Sequence, residues 1–223
     1  MTHRPFELLI FDWDGTLIDS IGTIVACTQA AVADLDLPPI ADEAIRNTIG
    51  MGLKETVEAL LPGADPELYQ RLREVYFKHW VSTYAERPLL FDGAEETLVR
   101  LHQAGYLLAV ATGKSRRGLE RDMDRVGTRE LFAATRTVDE APSKPHPEMV
   151  LALLDELGVQ AGGALVIGDT SYDMEMATSA GTRSLGVSTG SHSCEELASY
   201  RPLGCLPSVL HLPDWLVSQG RGR

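Results

Sequence analysis

The chain has 223 residues, of which 44% are apolar, and a formal net charge of -12 at pH 7. This apolar content suffices for a substantial core and excludes a disordered chain. The negative charge argues against nucleic acid or an anionic membrane surface as the main partner. No segment approaches the ~18 consecutive apolar residues of a membrane-spanning helix. We therefore expect a soluble, cytoplasmic protein in which Cys27, Cys194 and Cys205 are ordinary thiols.

The predicted elements in chain order indicate an α/β core interrupted by a helical insert. An apolar strand at 8–10 is followed by helical patterns with almost no strand signal up to residue 85, and strands and helices then alternate. The fold class is therefore a Rossmann-like parallel sheet with helices on both faces, formed by residues 1–16 and 88–223, with a helical cap at 17–87. The predicted helices are 17–36, 42–49, 53–61, 66–85, 93–104, 115–126, 147–157 and 171–180, and the later strands are 106–111, 133–138, 164–167 and 183–187.

Two carboxylates, Asp12 and Asp14, directly follow the first strand. Ligands of open α/β sheets bind beyond the carboxyl ends of the strands, so these side chains are candidates for a metal site and for a nucleophile. The alternative is that the Asp14-Gly15 pair simply forms a turn.

Polar residues also follow three later strands. Thr112-Gly113 precedes a helix whose free N–H groups suit a phosphate, although plain capping by Ser115 explains the same pattern. Lys144 lies just before another helix and on its own reads as a solvated lysine. Asp169 and Asp173 open the helix after the strand at 164–167, where they suit a hard cation.

These four motifs, in this order, resemble those of the haloacid dehalogenase-like superfamily, and the resemblance covers essentially the whole chain. The helical insert looks like the type-1 cap of the branch that contains phosphoglycolate phosphatase and β-phosphoglucomutase. The segments Thr48–Thr56 and Lys144–Glu148 are similar to the phosphatases of that branch.

The resemblance implies a Mg²⁺-dependent phosphatase that forms an aspartyl-phosphate. It implies that Asp12 is the nucleophile and that Asp14 protonates the leaving group and then activates water. The metal would be held by the side chains of Asp12 and Asp169, by the backbone carbonyl of Asp14, and by Asp173 directly or through water.

The same resemblance implies that Thr112, the N–H of Gly113 and Lys144 hold the phosphoryl oxygens. Thr16 is either a turn-capping hydroxyl or a substrate contact. Lys54 in the cap is our candidate for the distal group of the substrate, with a solvated lysine as the alternative.

The expected substrate is a small phosphorylated metabolite, with 2-phosphoglycolate as the first candidate. Asp14 favours phosphoryl chemistry over dehalogenation, because a halide needs no proton. β-Phosphoglucomutases carry a cap histidine where this chain has Ile24, which counts against the mutase. A sugar-phosphate mutase, an inorganic pyrophosphatase and a non-catalytic relative that binds a metabolite or partner remain as alternatives, and the sequence does not predict the oligomeric state.

Overall fold

The computed structural model describes residues 4–84 and 90–220, which contain a six-stranded parallel sheet surrounded by helices. The strands are β1 (Leu8–Phe11), β2 (Leu107–Thr112), β3 (Ala134–Thr137), β4 (Ala164–Gly168), β5 (Arg183–Val187) and β6 (Cys205–Leu206). The helices are α1 (Ile21–Asp34), α2 (Asp42–Arg46), α3 (Leu53–Leu60), α4 (Pro66–Tyr84), α5 (Ala94–Gln103), α6 (Arg116–Val126), α7 (Glu148–Leu157), α8 (Ser171–Ser179), α9 (Cys194–Ala198) and α10 (Leu212–Gly220).

The sheet has the strand order β3-β2-β1-β4-β5-β6, so β1 lies near its centre. Leu8 pairs in register with Leu107 of β2 on one side and with Ala164 of β4 on the other. Because all its residues are buried, β1 is a continuous apolar run, as expected for a strand covered on both faces.

The two faces of the sheet pack into separate apolar clusters because side chains alternate along a strand. Leu9 and Phe11 join the cluster that includes residues of α5, α6 and α10. Leu8 and Ile10 join the cluster that includes residues of α7 and α8. The predicted layers, with helices on both faces of a parallel sheet, are confirmed.

Helices α1 to α4 lie between β1 and α5 in the chain, and α1 packs along α4. Ile21, Val25, Ile45 and Ile49 form a small apolar core of their own within this helical segment. The predicted domain boundary at residues 87 and 88 lies outside the described residues, so the division into core and cap stays a prediction.

Several predicted bounds shift, and the C-terminal elements were not predicted. Helix α1 begins at Ile21 rather than residue 17, because residues 13–20 form a turn in which the Gly15 N–H donates to the Ile18 carbonyl over 2.9 Å. Strand β6 has two residues and α9 has five, which is too short for a periodic signal. No helix in the described ranges is long and apolar enough to span a membrane.

The expectation of three thiols is wrong, because Cys194 and Cys205 form a disulfide. Cys194 opens α9 and Cys205 lies in β6, which pairs beside β5. This packing brings the two Cα atoms to 5.6 Å, within the range that a disulfide requires. Pairing between elements this short follows from the fold and not from cysteine spacing, so it could not be predicted from the sequence.

Candidate active site

The predicted motifs meet at one edge of the sheet. Asp12 follows β1, Thr112 ends β2 and Asp169 follows β4, and these three strands are neighbours. Lys144 reaches the same place from the segment between β3 and α7. The carboxyl ends of parallel strands share one edge, which explains why residues more than 150 positions apart in the chain converge.

Lys144 is the cationic centre of this cluster. Its side chain is fully buried, and Nζ lies 2.5 Å from Oδ1 of Asp12 and 2.6 Å from Oδ1 of Asp173. Burial alone would lower the pKa of Lys144, but the two carboxylates outweigh it and raise that pKa above its usual value. The lysine is therefore charged, and it does not occupy the solvated position that a lone loop lysine would take.

Asp12, Asp169 and Asp173 form a triad of buried carboxylates that fits a divalent cation. One oxygen of each lies within 4.8 Å of the others. Oδ2 of Asp12 is buried and has no hydrogen-bond partner within the described part of the chain. Burial raises the pKa of Asp12 well above its usual value, against the opposing effect of Lys144. Three carboxylates against one ammonium leave negative charge in a dry site, and a hard cation with oxygen ligands such as Mg²⁺ would offset it.

Asp169 is held by side chains and backbone from two loops. Its Oδ1 accepts a 2.8 Å hydrogen bond from Thr16 Oγ1, and its Oδ2 accepts one of 2.9 Å from the Ser191 N–H. Thr16 is itself fully buried. In this structure the hydroxyl of Thr16 therefore orients a candidate metal ligand, and its predicted contact with substrate stays a prediction.

Sequence reasoning missed the loop at 189–191. A Cβ atom at Gly190 would lie 1.8 Å from Oδ2 of Asp169, so only glycine allows this approach. Thr189 Oγ1 donates to the Gly15 carbonyl over 2.7 Å and ties the loop to the first motif. A signal was present, because this polar segment follows the predicted strand at 183–187 just as the other motifs follow theirs.

The side chain of Asp14 has different partners from that of Asp12. Lys114 Nζ lies 2.9 and 3.0 Å from its two carboxylate oxygens, and Ser20 Oγ donates to Oδ1 over 2.6 Å. This carboxylate is outside the triad, so any contribution of Asp14 to the metal would come from its backbone carbonyl, as predicted.

Lys114 is a second lysine in the site, partly buried, to which sequence reasoning gave no role. Its Nζ also lies 3.2 Å from Oδ2 of Asp122, a fully buried carboxylate that accepts a 3.3 Å hydrogen bond from Trp13 Nε1. Burial alone would lower the pKa of Lys114, but Asp14 and Asp122 outweigh it and raise that pKa. The ammonium group also lies 4.7 Å from the ring centre of Trp80, on α4. The only feature of the sequence that pointed to Lys114 was its position two residues after Thr112.

The helical segment touches the sheet edge directly. The Gly52 N–H donates to Ser143 Oγ over 2.7 Å, and the Tyr172 hydroxyl donates to the Asn47 carbonyl over 2.8 Å. A Cβ atom at Gly113 would lie 2.5 Å from the Met51 carbonyl oxygen, so the two loops are in close contact there. The loop between α2 and α3 therefore contacts the motif edge in this structure.

Between the cap helices and the motif edge lies a cleft of about 710 Å³. Asp12, Asp14, Thr112 and Gly113 line it on the sheet side, and Lys54 lines it on the cap side. Lys144, Asp169 and Asp173 lie behind this surface, in the buried cluster.

A family model described as haloacid dehalogenase-like hydrolase matches residues 9–187. The chain belongs to this family. It is 35% identical over 199 residues to "Probable phosphatase IndB" of Dickeya dadantii, covering 87% of this chain and 86% of that protein. It is 29% identical to phosphoglycolate phosphatase of Colwellia psychrerythraea, covering 95% of this chain and 97% of that protein.

The fold of this haloacid dehalogenase-like hydrolase is shared with solved structures. The crystal structure of a hydrolase from Pseudomonas syringae superposes with a TM-score of 0.87 at 25% identity, covering 95% of this chain and 98% of that one. The superfamily resemblance inferred from the four motifs is confirmed.

The pKa of Asp169 leads to a prediction of how the stability of the folded protein depends on pH and on Mg²⁺. Burial and the neighbouring Asp173 raise the pKa of Asp169 to about 7, against hydrogen bonds from Ser191 and Thr16, whereas an unfolded aspartate has a pKa of ~3.9. Between these values the folded state holds more protons, so without metal the stability falls as pH rises through this window. A cation competes with these protons, so we expect Mg²⁺ to raise Tm more at pH 8 than at pH 6.

Differential scanning calorimetry with Mg²⁺ or with EDTA measures this effect. Asp169→Asn is the matched variant, because it removes both the titrating carboxyl and a cation ligand. A Tm that Mg²⁺ raises equally in Asp169→Asn and in the unaltered protein would contradict a cation site in the triad.

Gly190→Ala tests the close approach of the 189–191 loop. The added methyl would collide with Asp169, and overpacking of this kind costs about 2 kcal/mol of unfolding free energy. We expect that loss in urea unfolding, together with a smaller Mg²⁺-dependent rise in Tm. Gly162→Ala is the control, because its Cβ would meet no atom within 4 Å. Equal stability of the two variants would show that the loop does not brace Asp169.

Proposed function

We propose that the protein is a Mg²⁺-dependent phosphomonoesterase that acts on a small phosphorylated metabolite through an aspartyl-phosphate. The observation that supports this proposal most directly is that the two carboxylate oxygens of Asp12 have different surroundings. Lys144 holds Oδ1 at 2.5 Å, while Oδ2 is buried without a partner in the described ranges. One oxygen is thus anchored and the other remains available to attack phosphorus.

In the first step, Oδ2 of Asp12 attacks phosphorus, a new P–O bond forms and the ester P–O bond breaks. Asp14 donates a proton to the leaving alkoxide. In the second step, a water molecule gives a proton to Asp14 and attacks phosphorus, and the bond to Asp12 breaks to release inorganic phosphate. When bound at the triad of Asp12, Asp169 and Asp173, Mg²⁺ supplies the positive charge that lets a phosphate approach these carboxylates.

The remaining motif residues are proposed to bind the transferred phosphoryl group. Lys144 brings a positive charge beside the nucleophile, and Thr112 and Gly113 line the cleft just before α6. Fixed donors at these places stabilise the charge that spreads over the phosphoryl oxygens in the transition state. Their value depends on being rigid, and Thr112 and Lys144 are both buried.

Hydrolysis is favoured over the mutase alternative by the residue at position 24. Ile24 lines the cleft, so an apolar side chain stands where β-phosphoglucomutases carry a cap histidine. 2-Phosphoglycolate remains the first candidate substrate from the sequence, and the name of the Colwellia psychrerythraea relative supports testing it. The assays below test the non-catalytic alternative, phosphate release from inorganic pyrophosphate tests the pyrophosphatase alternative, and the cytoplasmic location stays a prediction.

Asp12→Asn tests the nucleophile. With p-nitrophenyl phosphate and Mg²⁺ we expect the unaltered protein to release nitrophenol and the variant to lose at least about 10⁴-fold in kcat, because an amide cannot form the acyl phosphate. Asp155→Asn, at an exposed position on α7, is the control and should keep full activity. Undiminished turnover by Asp12→Asn would refute the assignment, and no turnover by the unaltered protein on any phosphate ester would favour the non-catalytic alternative.

Lys114→Met tests whether Lys114 positions the proton donor. Both oxygens of Asp14 contact Lys114, so we expect its loss to disturb leaving-group protonation. An alkyl leaving group needs that proton far more than p-nitrophenolate does. We therefore expect the ratio of kcat for ethyl phosphate to kcat for p-nitrophenyl phosphate to fall about tenfold. Lys78→Met, at an exposed position on α4, is the control. Equal losses on both esters would indicate a structural role alone.

A further inference from the structure

We infer that the cleft selects phosphate monoesters whose leaving group carries a ring and a second anionic group. The inference rests on the proposed function and names the substrate class of the same site. The part of the cleft that would recognise this leaving group is called here the aromatic–guanidinium subsite. It comprises Arg73, Phe77 and Trp80 of α4 together with Arg117 and Arg121 of α6.

The position of Asp14 indicates on which side of the phosphoryl group the leaving group lies. A proton donor must be within reach of the leaving oxygen, so the leaving group extends on the side of Asp14. Lys114 contacts Asp14, and Trp80 lies next to Lys114 at 4.7 Å. Beyond the proton donor, a substrate therefore meets the α4 face of the cleft.

That face is aromatic. The ring of Trp80 stacks on that of Tyr76 with centroids 5.9 Å apart and an interplanar angle of 25°. Phe77, the next residue, also lines the cleft and remains 37% exposed. An exposed aromatic side chain inside a cleft, here that of Phe77, suits a flat or ring-shaped group, because the contact removes a large apolar area from water.

The neighbouring α6 side of the cleft carries positive charge on a chain whose net charge is -12. The guanidinium groups of Arg117 and Arg121 lie 5.7 and 5.4 Å from the ring centre of Phe77. Two cations on one ring repel each other, and a shared anion between them would relieve this.

The carboxylates nearby do not supply that anion fully. Arg121 pairs with Asp122 at 3.5 Å, and Asp122 is closer to Lys114, at 3.2 Å. Arg73, one helical turn before Phe77, adds a third guanidinium to the lining, opposed on α4 by Glu74. Within the subsite the three guanidinium groups outnumber the one lining carboxylate, Glu74, and this local excess of positive charge points to a carboxylate or phosphate at the far end of the leaving group.

The size of the cleft supports the same class. Clefts of roughly 300–1,000 Å³ typically hold drug-sized ligands, and this one measures about 710 Å³ with the cap in contact with the sheet edge. 2-Phosphoglycolate, with about nine non-hydrogen atoms, would leave most of such a space filled with water. A ring between the phosphate and a second anion would span from Asp14 to the guanidinium groups.

Steady-state kinetics on matched esters tests the inference. The probes are phenyl phosphate, 3- and 4-carboxyphenyl phosphate, and 2-phosphoglycolate, all with Mg²⁺. We expect the better carboxyphenyl ester to exceed both phenyl phosphate and 2-phosphoglycolate in kcat/KM by at least about tenfold, as a charged contact of about 1.5 kcal/mol or more implies.

Variants separate the two features of the subsite. Arg117→Gln should raise KM for the better carboxyphenyl ester about tenfold. It should change KM for phenyl phosphate by less than about twofold. Phe77→Ala should lower kcat/KM for all the phenyl esters and leave kcat/KM for 2-phosphoglycolate nearly unchanged. Arg71→Gln and Val81→Ala, on α4 but outside the cleft lining, are the matched controls.

The outcomes distinguish the two proposals. If the carboxylate adds nothing, if 2-phosphoglycolate is the best ester, or if Arg117→Gln affects all the esters equally, the subsite inference is overturned and the phosphatase proposal stands. If none of the esters releases phosphate, the proposed function itself fails and takes the inference with it.

Discussion

The compensation of buried charge at the centre of the sheet edge is the constraint on which the rest of the site depends. Asp12, Asp169 and Asp173 are almost completely removed from water, and Lys144 is the ammonium group among them. Uncompensated buried charges cost several kcal/mol each, so the ammonium group of Lys144 is needed to offset the carboxylates, and a cation bound by the triad would offset them further. The hydrogen bonds to Asp169 and the glycine at position 190 serve this one arrangement.

A second lysine gives Asp14 an environment unlike that of Asp12, although only one residue separates them. Lys144 faces the proposed nucleophile and the triad, whereas Lys114 faces the proposed proton donor, Asp122 and Trp80 of α4. When two carboxylates have different surroundings, they can take different roles in one reaction. The turn at residues 13–20 makes this separation possible by sending the two side chains to different partners.

Features that depend on local sequence patterns could be predicted from the sequence, whereas features that depend on tertiary packing could not. The strands at 8–10 and 164–167 were readable because buried parallel strands are short apolar runs, and Asp12 and Asp169 followed from their positions after them. The pairing of Cys194 with Cys205 was not readable, because it depends on a two-residue strand joining the sheet edge. Lys114 was overlooked for a similar reason: its partner Asp122 lies on the next helix, and only the fold brings the two side chains together.

The two halves of the site, the proposed catalytic residues and the proposed aromatic–guanidinium subsite, are held by different kinds of structural element. Loops at the strand ends position the carboxylates. The position of each carboxylate therefore depends on the whole sheet and tolerates little change. Arg73, Phe77 and Trp80 lie on one face of α4, at the spacing of four and three residues that a helix requires. Substitutions on that face can alter which leaving group fits without moving Asp12 or Lys144. A family that keeps its chemistry constant while its substrates vary needs this separation, and in this protein the boundary between the two halves runs through Lys114, which touches both Asp14 and Trp80.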